Sequence, residues 1–168
     1  MEEGEMKGDR NPSWGADEKG NLDGDVVGVV IVDHGSRRGE SNDMLLEVAA
    51  SFQRHSGYQI VEPAHMELAS PSIQEAVDRC VARGARDIIL FPYFLSPGRH
   101  WHDDIPRLAR NATGSHPGVR VIVTAPLGLH PLMLEIIQQR IQQCVSHVHG
   151  SGPPCELCDG NAIGCRAT

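Results

Sequence analysis

The feature that most constrains the fold is a fourfold alternation of strand and helix patterns. Val26 to Val32 form a nearly continuous β-branched run, which is typical of a strand buried on both faces. Later apolar runs predict three more strands, at residues 58–68, 87–91 and 119–125. Apolar side chains at helical spacing predict helices at residues 42–54, 73–81, 105–112 and 134–145. This alternation predicts an α/β fold: an open four-unit parallel sheet, flavodoxin-like, with helices on both faces.

The two ends of the chain lack this pattern. Residues 1–24 hold seven acidic and three basic side chains without apolar periodicity, so a disordered acidic leader is predicted there. Neither a secretory signal nor an Arg- and Ser-rich transit peptide is recognisable in it. Beyond residue 149 the chain is rich in Gly, Pro and Cys. We therefore expect a leader at 1–24, one domain at 25–149 and a Cys-rich tail at 150–168.

Charge, hydropathy and cysteine content restrict the function classes. A net charge of −7 and a pI near 5.7 leave no basic footprint, so no nucleic-acid partner is expected. No run approaches the ~18–20 apolar residues of a membrane helix, so no membrane span is predicted. Five cysteines in 168 residues favour reduced thiols or a metal site over a disulfide framework.

Two histidines follow strands whose carboxyl ends should be neighbours. His34 follows the first predicted strand and His100 lies just after the third. If the strand order is 2-1-3-4, these strands flank the point where the order reverses, where open parallel sheets bind ligands. We expect both imidazoles in one cleft, where they could bind a divalent metal ion or accept protons near neutral pH.

Two further residues near this edge, Glu67 and His102, have two interpretations each. His65 and Glu67 are two positions apart and should project from the same face of the second strand, where the carboxylate could accept protons or orient an imidazole. The alternative for Glu67 is a surface carboxylate beside a helix N-terminus. His102 is either a third ligand or an exposed residue in the first turn of the next helix.

Arginines in the two histidine-bearing loops suggest an anionic ligand. Every basic residue beyond position 24 is arginine, and Arg37, Arg38 and Arg99 lie in those loops. Arginine suits bidentate recognition of carboxylates. The first loop reads DHGSRRGES and lacks both Gly-rich phosphate signatures, so a nucleotide is not expected.

Three segments together resemble a known family: IVDHGSRRGESN, EPAHMELASPSI and LSPGRHWHDDIP, in this order and spacing. From about residue 25 to the C-terminus, the chain is similar to the sirohydrochlorin chelatases, and its Cys-rich tail resembles that of the plant-type members. The resemblance implies a lyase that inserts Fe²⁺ into sirohydrochlorin without ATP to give sirohaem. It also implies a homodimer located in the chloroplast.

The resemblance assigns roles to residues. The family's two metal-handling histidines fall on His34 and His100, which would bind the substrate Fe²⁺, and its acidic cleft residue falls on Glu67. Sirohydrochlorin is a polycarboxylate, so the expected substrate-binding residues are Ser36, Arg37, Arg38 and Arg99. Two alternatives stay open: a cobalt or nickel chelatase of the same family, and a metal or tetrapyrrole carrier without catalysis.

The cysteines carry a separate expectation. The plant-type members bind a 2Fe-2S cluster on C-terminal cysteines, and four thiolates are available in Cys144, Cys155, Cys158 and Cys165, the usual ligand count for such a cluster. The Cys155–Cys158 pair equally suits structural zinc or a redox dithiol. Cys144 could instead be a buried thiol of the last helix, and Cys80 is interpreted as a core residue.

Overall fold

The computed structural model describes residues 26–156 and residue 158. The predicted leader at 1–24 and the last thiol of the proposed cluster, Cys165, lie outside the described residues. The chain forms two compact units, one ending at Pro126 and one beginning at Leu127. The domain boundaries expected at residues 24 and 149 stay predictions.

A four-stranded parallel sheet organises the first unit. Its strands are β1 (Val27–Asp33), β2 (Ile60–His65), β3 (Asp87–Pro92) and β4 (Arg120–Val123), in the spatial order β2-β1-β3-β4. The predicted order is therefore confirmed. β1 is buried along nearly its whole length between β2 and β3, as its β-branched sequence indicates.

Three helices cover the two faces of this sheet, as predicted. They are α1 (Gly39–Ser56), α2 (Ile73–Ala82) and α3 (Ile105–Gly114), and a single π-helical turn, His100–Asp104, leads into α3. Side chains of α2 and α3 pack with Val30, Val32 and Leu90 on one face, while Leu45 and Ala49 of α1 pack with Val29 and Ile31 on the other.

Two local features of the α2 side fix its packing. Ser72 and Glu75 form a capping box at the start of α2: the Ser72 hydroxyl accepts the Glu75 N–H, and the Glu75 carboxylate accepts the Ser72 N–H. The hydrogen bond from the Ser72 N–H is the main cause that holds the pKa of Glu75 below its ordinary value. Cys80 is fully buried against Gly28 of β1, as the core interpretation predicted, and burial raises the pKa of its thiol to about 12.

The second unit contains α4 (Pro131–Val148), the fourth predicted helix. Pro131 at its first position and His130 before it start the helix, because His130 Nδ1 accepts a hydrogen bond from the Leu132 N–H. Within the described part of the chain, no helix combines the length and apolar character that crossing a membrane requires.

Candidate active site

His34 and His100 lie together at the carboxyl edge of the sheet. Their ring centroids are 5.2 Å apart, with the ring planes at 71°. β1 and β3 are adjacent, so the loops that follow them carry both rings to one place. Each side chain is nearly half exposed, 42% for His34 and 47% for His100, so both rings can be reached from solvent.

Glu67 joins this pair, although it does not lie in β2 as predicted. β2 ends at His65, whose N–H donates to the Pro71 carbonyl, and the chain turns through Leu68 at a φ of 67°. Glu67 is held instead by its own N–H, which donates to the His34 carbonyl at 3.2 Å. Its carboxylate oxygen Oε1 lies 2.8 Å from His34 Nε2, at ion-pair distance.

His100 is oriented by a carboxylate on its own turn. Its Nδ1 lies 2.9 Å from Asp104 Oδ2, and Arg107 contacts the other oxygen at 3.2 Å. These two partners, His100 foremost, lower the pKa of Asp104. The π-helical turn places residues 100 and 104 side by side, and such turns are common at functional sites. Sequence reasoning missed Asp104, although the run HDD after His100 offered the acid.

His65 faces a different environment from Glu67. It is 1% exposed, and its Nδ1 lies 2.6 Å from Oδ1 of Asp33, its register partner at the end of β1. The same oxygen accepts a hydrogen bond from the Gly35 N–H at 2.9 Å. The expectation that residues 65 and 67 share one face is wrong, because the strand ends between them. The sequence signal that could have predicted the Asp33–His65 pair is that a polar residue ends each of two adjacent strands.

Gly35 is required by a close approach in this loop. Its φ is +82°, and a Cβ at this position would lie 2.0 Å from the Glu67 carbonyl oxygen. Only glycine adopts this conformation without strain and leaves room for the neighbouring chain. The glycine therefore allows the His34 and Glu67 segments to run side by side.

The predicted anion-binding arginines lie close to His34 and His100 along the chain and are exposed to solvent. Arg37, Arg38 and Arg99 are exposed, and none forms an ion pair with a carboxylate of the described residues. The Ser36 hydroxyl already accepts a hydrogen bond from the Arg38 N–H, and its backbone is paired with Asn42. Ser36 thus has a local role in starting α1 whether or not it contacts a ligand.

His102 does not contact either of the paired histidines. Its ring packs edge-on against Trp101, with centroids 4.5 Å apart. Trp101 in turn donates from Nε1 to the Thr124 carbonyl after β4. Among the described residues, no three His, Cys, Asp or Glu side chains are arranged to hold one metal ion.

The second unit contains three of the four cysteines predicted to bind a cluster. Cys155 Sγ and Cys158 Sγ are 3.4 Å apart, and Cys155 is buried. Cys144 on α4 is partly buried. Arg140 forms an ion pair with Glu156, which raises the pKa of Arg140 and lowers that of the carboxyl. Two neighbouring thiols with a nearby guanidinium suit an anionic metal–thiolate group.

Comparisons with known proteins add family information. The CbiX family model matches residues 28–144. The chain is 53% identical over 137 residues to the chloroplastic sirohydrochlorin ferrochelatase of Arabidopsis thaliana, covering 82% of this chain and 61% of that protein. It is 34% identical over 116 residues to a sirohydrochlorin cobaltochelatase of Priestia megaterium, covering 68% and 37%. The chain thus spans less than two thirds of the length of these two relatives.

The fold is also found in solved structures. SirB from Bacillus subtilis, solved with Fe³⁺, superposes with a TM-score of 0.65 at 24% identity, covering 68% of this chain and 45% of that one. At this identity the match establishes the shared architecture and not the chemistry.

Proposed function

Because this chain belongs to the CbiX family, we propose that it inserts Fe²⁺ into sirohydrochlorin to form sirohaem and release two protons. The choice of iron rests on the 53% identity to the Arabidopsis ferrochelatase. The enzyme is then a lyase whose substrates are a metal ion and a tetrapyrrole.

The observation that carries this proposal is the pair of imidazoles with separate carboxylate partners. Insertion must deliver a metal ion to the macrocycle and remove two pyrrole N–H protons. His34 and His100 lie with ring centroids 5.2 Å apart, and each has its own carboxylate, Glu67 or Asp104. One site can therefore present the ion and accept protons.

The hydrogen bonds divide these tasks between the histidines. His100 donates from Nδ1 to Asp104, which leaves the Nε2 lone pair for the metal ion, and a carboxylate behind a ligating histidine is the usual arrangement. His34 Nδ1 lies 3.3 Å from the Gly35 carbonyl oxygen, which can only accept, and His34 Nε2 lies 2.8 Å from Glu67 Oε1, so Nε2 and the carboxylate can share one accepted proton. We assign delivery of Fe²⁺ to His100 and removal of pyrrole protons to the His34–Glu67 pair, which passes them to solvent.

Substrate binding falls to the exposed arginines. Sirohydrochlorin carries carboxylates around its rim, and Arg37, Arg38 and Arg99 present guanidinium groups without ion-pair partners among the described residues. Ion pairs with these carboxylates would hold the macrocycle over the histidines. Ser36 contributes through the loop that carries Arg37 and Arg38.

An insertion assay tests the activity and its alternatives together. Under anaerobic conditions, sirohydrochlorin in excess over enzyme is offered Fe²⁺, Co²⁺ or Ni²⁺. Many equivalents of sirohaem per enzyme support the proposal, whereas one equivalent at most indicates a carrier. Turnover with Co²⁺ or Ni²⁺ but not with Fe²⁺ indicates the other metal specificities of the family. His55→Ala, an exposed histidine at the end of α1, serves as the matched control.

We further propose that Cys144, Cys155, Cys158 and Cys165 bind a 2Fe-2S cluster. The 3.4 Å separation of the Cys155 and Cys158 sulfurs fits two thiolates on one metal centre. The group would supply electron-transfer or structural chemistry in the second unit, and no insertion step depends on it. Visible absorption and iron–sulfide analysis of anaerobically purified protein test this. Colourless protein containing zinc would replace the cluster with a structural zinc site.

A homodimer is proposed from two exposed features. The histidine site is open to solvent, and a large macrocycle needs more cover than these two loops provide. Within its own unit, α4 leaves one apolar stripe uncovered, formed by Leu134, Ile137, Ile141 and Val145. A second copy would cover this stripe. Sedimentation that finds a fully active monomer would refute the dimer.

The chloroplast is the proposed location, because the Arabidopsis relative is chloroplastic. A fluorescent fusion to the C-terminus of the full-length protein in leaf cells tests this. Co-localisation with chlorophyll fluorescence is expected, and a cytosolic signal would refute the assignment.

A further inference from the structure

We propose that Asp33 and His65 form a positioning pair that fixes the geometry of His34 and Glu67. This inference rests on the proposed function, since it concerns the residues assigned to proton removal. Asp33 and His65 are opposite each other in the β1–β2 register, at the last position of each strand. The residues that follow them are those whose side chains meet in the site.

Asp33 Oδ1 is the centre of this arrangement. It lies 2.6 Å from His65 Nδ1 and accepts the Gly35 N–H at 2.9 Å. One oxygen thus ties the end of β2 to the residue that follows His34. Both hydrogen bonds constrain the direction in which the chain leaves β1.

Backbone hydrogen bonds extend this constraint to Glu67. The Met66 N–H donates to the Asp33 carbonyl at 2.8 Å, and the Glu67 N–H donates to the His34 carbonyl at 3.2 Å. The segments that follow β1 and β2 therefore stay hydrogen-bonded to each other beyond the ends of the strands. The Glu67 carbonyl also fills the space beside Gly35 where a Cβ would stand. As a result, the carboxylate of Glu67 meets His34 Nε2 at 2.8 Å.

The chemistry of His65 favours positioning over proton transfer. An ionised Asp33 can only accept, so the short contact places the ring proton on His65 Nδ1. His65 Nε2 is buried without a hydrogen-bond partner, and protonating it would bury a second N–H with no acceptor. The side chain is 1% exposed and cannot touch the substrate.

Packing alone does not explain a histidine here. Leucine or phenylalanine would fill a fully buried position without leaving a polar atom unpaired, whereas His65 leaves Nε2 buried without a partner, which is destabilising. The compensating benefit is the hydrogen bond to Asp33, which acts on the loop carrying His34. His65 is therefore a positioning residue that works through Asp33 and Gly35.

Two variants that differ in the donor test this directly. His65→Asn keeps an amide N–H near the position of Nδ1, whereas His65→Leu nearly keeps the volume of histidine and has no donor. Because the smaller, polar Asn fills the buried site less well than Leu, higher activity in His65→Asn than in His65→Leu points to the hydrogen bond and not to packing. We expect His65→Leu to lower kcat by about 10- to 100-fold with KM within about threefold, and His65→Asn to stay within about threefold of the unchanged protein.

Amide hydrogen exchange supplies a readout that does not depend on activity. In His65→Leu, exchange at Gly35, Met66 and Glu67 should accelerate at least about tenfold, while amides in the middle of α3 keep their rates. His65→Asn should show near-normal exchange at the same three amides. A general loss of stability would accelerate α3 as well.

The outcomes separate this inference from the proposed function. Equal kcat and equal exchange in folded His65→Asn and His65→Leu would overturn the positioning role. If the unchanged protein inserts no metal, the proposed function fails, and the exchange comparison alone decides whether the pair holds the loop. If the position 65 variants do not fold, Asp33→Asn and Asp33→Leu give the same comparison, since Asn keeps the accepting oxygen and Leu does not.

Discussion

The imidazole rings of His34 and His100 lie edge to face, with centroids 5.2 Å apart, although they follow different strands. Neither loop builds the site alone: β1 supplies one ring, β3 supplies the other, and Glu67 reaches the first ring from beyond β2. The parallel sheet brings the three segments to one edge, so the chemistry depends on strand order as much as on residue type.

Gly35→Ala should disable the site. A Cβ there would lie 2.0 Å from the Glu67 carbonyl oxygen at a φ of +82°, so the His34 and Glu67 segments must separate. We expect iron insertion to fall by at least about 100-fold, the usual loss when a proton-transfer group is misplaced. Gly98→Ala is the control, because a Cβ at Gly98 in the other site loop meets nothing within 4 Å. Equal rates in both variants would contradict the account.

Asp104→Asn should weaken the orientation of His100. The amide lacks the charge that strengthens the hydrogen bond with His100 Nδ1, so a loss of about 10- to 100-fold in kcat is expected. Asp103→Asn makes the same replacement at the preceding residue, which is exposed, and should leave kcat within about twofold. Steady-state insertion rates of the two variants, measured side by side, check this; an equal loss would exclude a specific role for Asp104.

The Cys80 thiol should make stability fall at alkaline pH. Below its ordinary pKa of 9.0 the thiol is neutral in both the folded and the unfolded chain. Above pH 9 the Cys80 thiol of the unfolded chain ionises, while the buried thiol of the folded chain stays protonated until about pH 12. Ionisation therefore stabilises the unfolded state, and the free energy of unfolding falls. The contribution is thus full below pH 9 and declines above it, by at most ~1.4 kcal/mol per pH unit.

Urea unfolding of the unchanged protein and of Cys80→Ala, under reducing conditions from pH 7 to pH 10.5, measures this contribution. The variant lacks the titrating group but shares all the others. The stability advantage of the unchanged protein should therefore shrink as the pH rises above 9. An advantage that stays constant across the series would show that the Cys80 thiol ionises equally in both states.

Gly28→Ala should destabilise the first unit without touching the site. A Cβ on Gly28 would lie 2.9 Å from Cys80 Cβ and 3.2 Å from Ala85 Cβ, so α2 would have to move away from β1. Overpacking of this kind costs about 1–3 kcal/mol in the free energy of unfolding. Gly39→Ala, at the open start of α1, should cost nothing. Chemical denaturation of both variants checks the difference, and a neutral Gly28→Ala would show that the contact is loose.

The framework of the first unit could be read from sequence because each signal was local. The β-branched run predicted β1, the apolar spacing predicted α1, α2 and α3, and the order 2-1-3-4 placed His34 beside His100. The resemblance carried by three segments was likewise confirmed by the family match over residues 28–144. None of these inferences needed the direction of a single side chain.

The predictions that failed depended on where a strand ends and where a helical turn begins. Alternation along β2 placed His65 and Glu67 on one face, but the strand stops at His65, which is buried against Asp33 while Glu67 reaches His34. Asp104 was missed because the sequence pattern began the helix at residue 105, whereas the chain is already helical from His100, which makes residues 100 and 104 neighbours four positions apart. Pattern alone does not distinguish these cases.

The most direct test of the account is multiple-turnover insertion of Fe²⁺ into sirohydrochlorin by the unchanged protein, His34→Ala and His100→Ala, with His55→Ala as control. We expect many equivalents of sirohaem from the unchanged protein and the control, and a loss of at least about 100-fold in each site variant with the fold intact. Near-normal turnover by His34→Ala and His100→Ala, or a single equivalent from the unchanged protein, would contradict it.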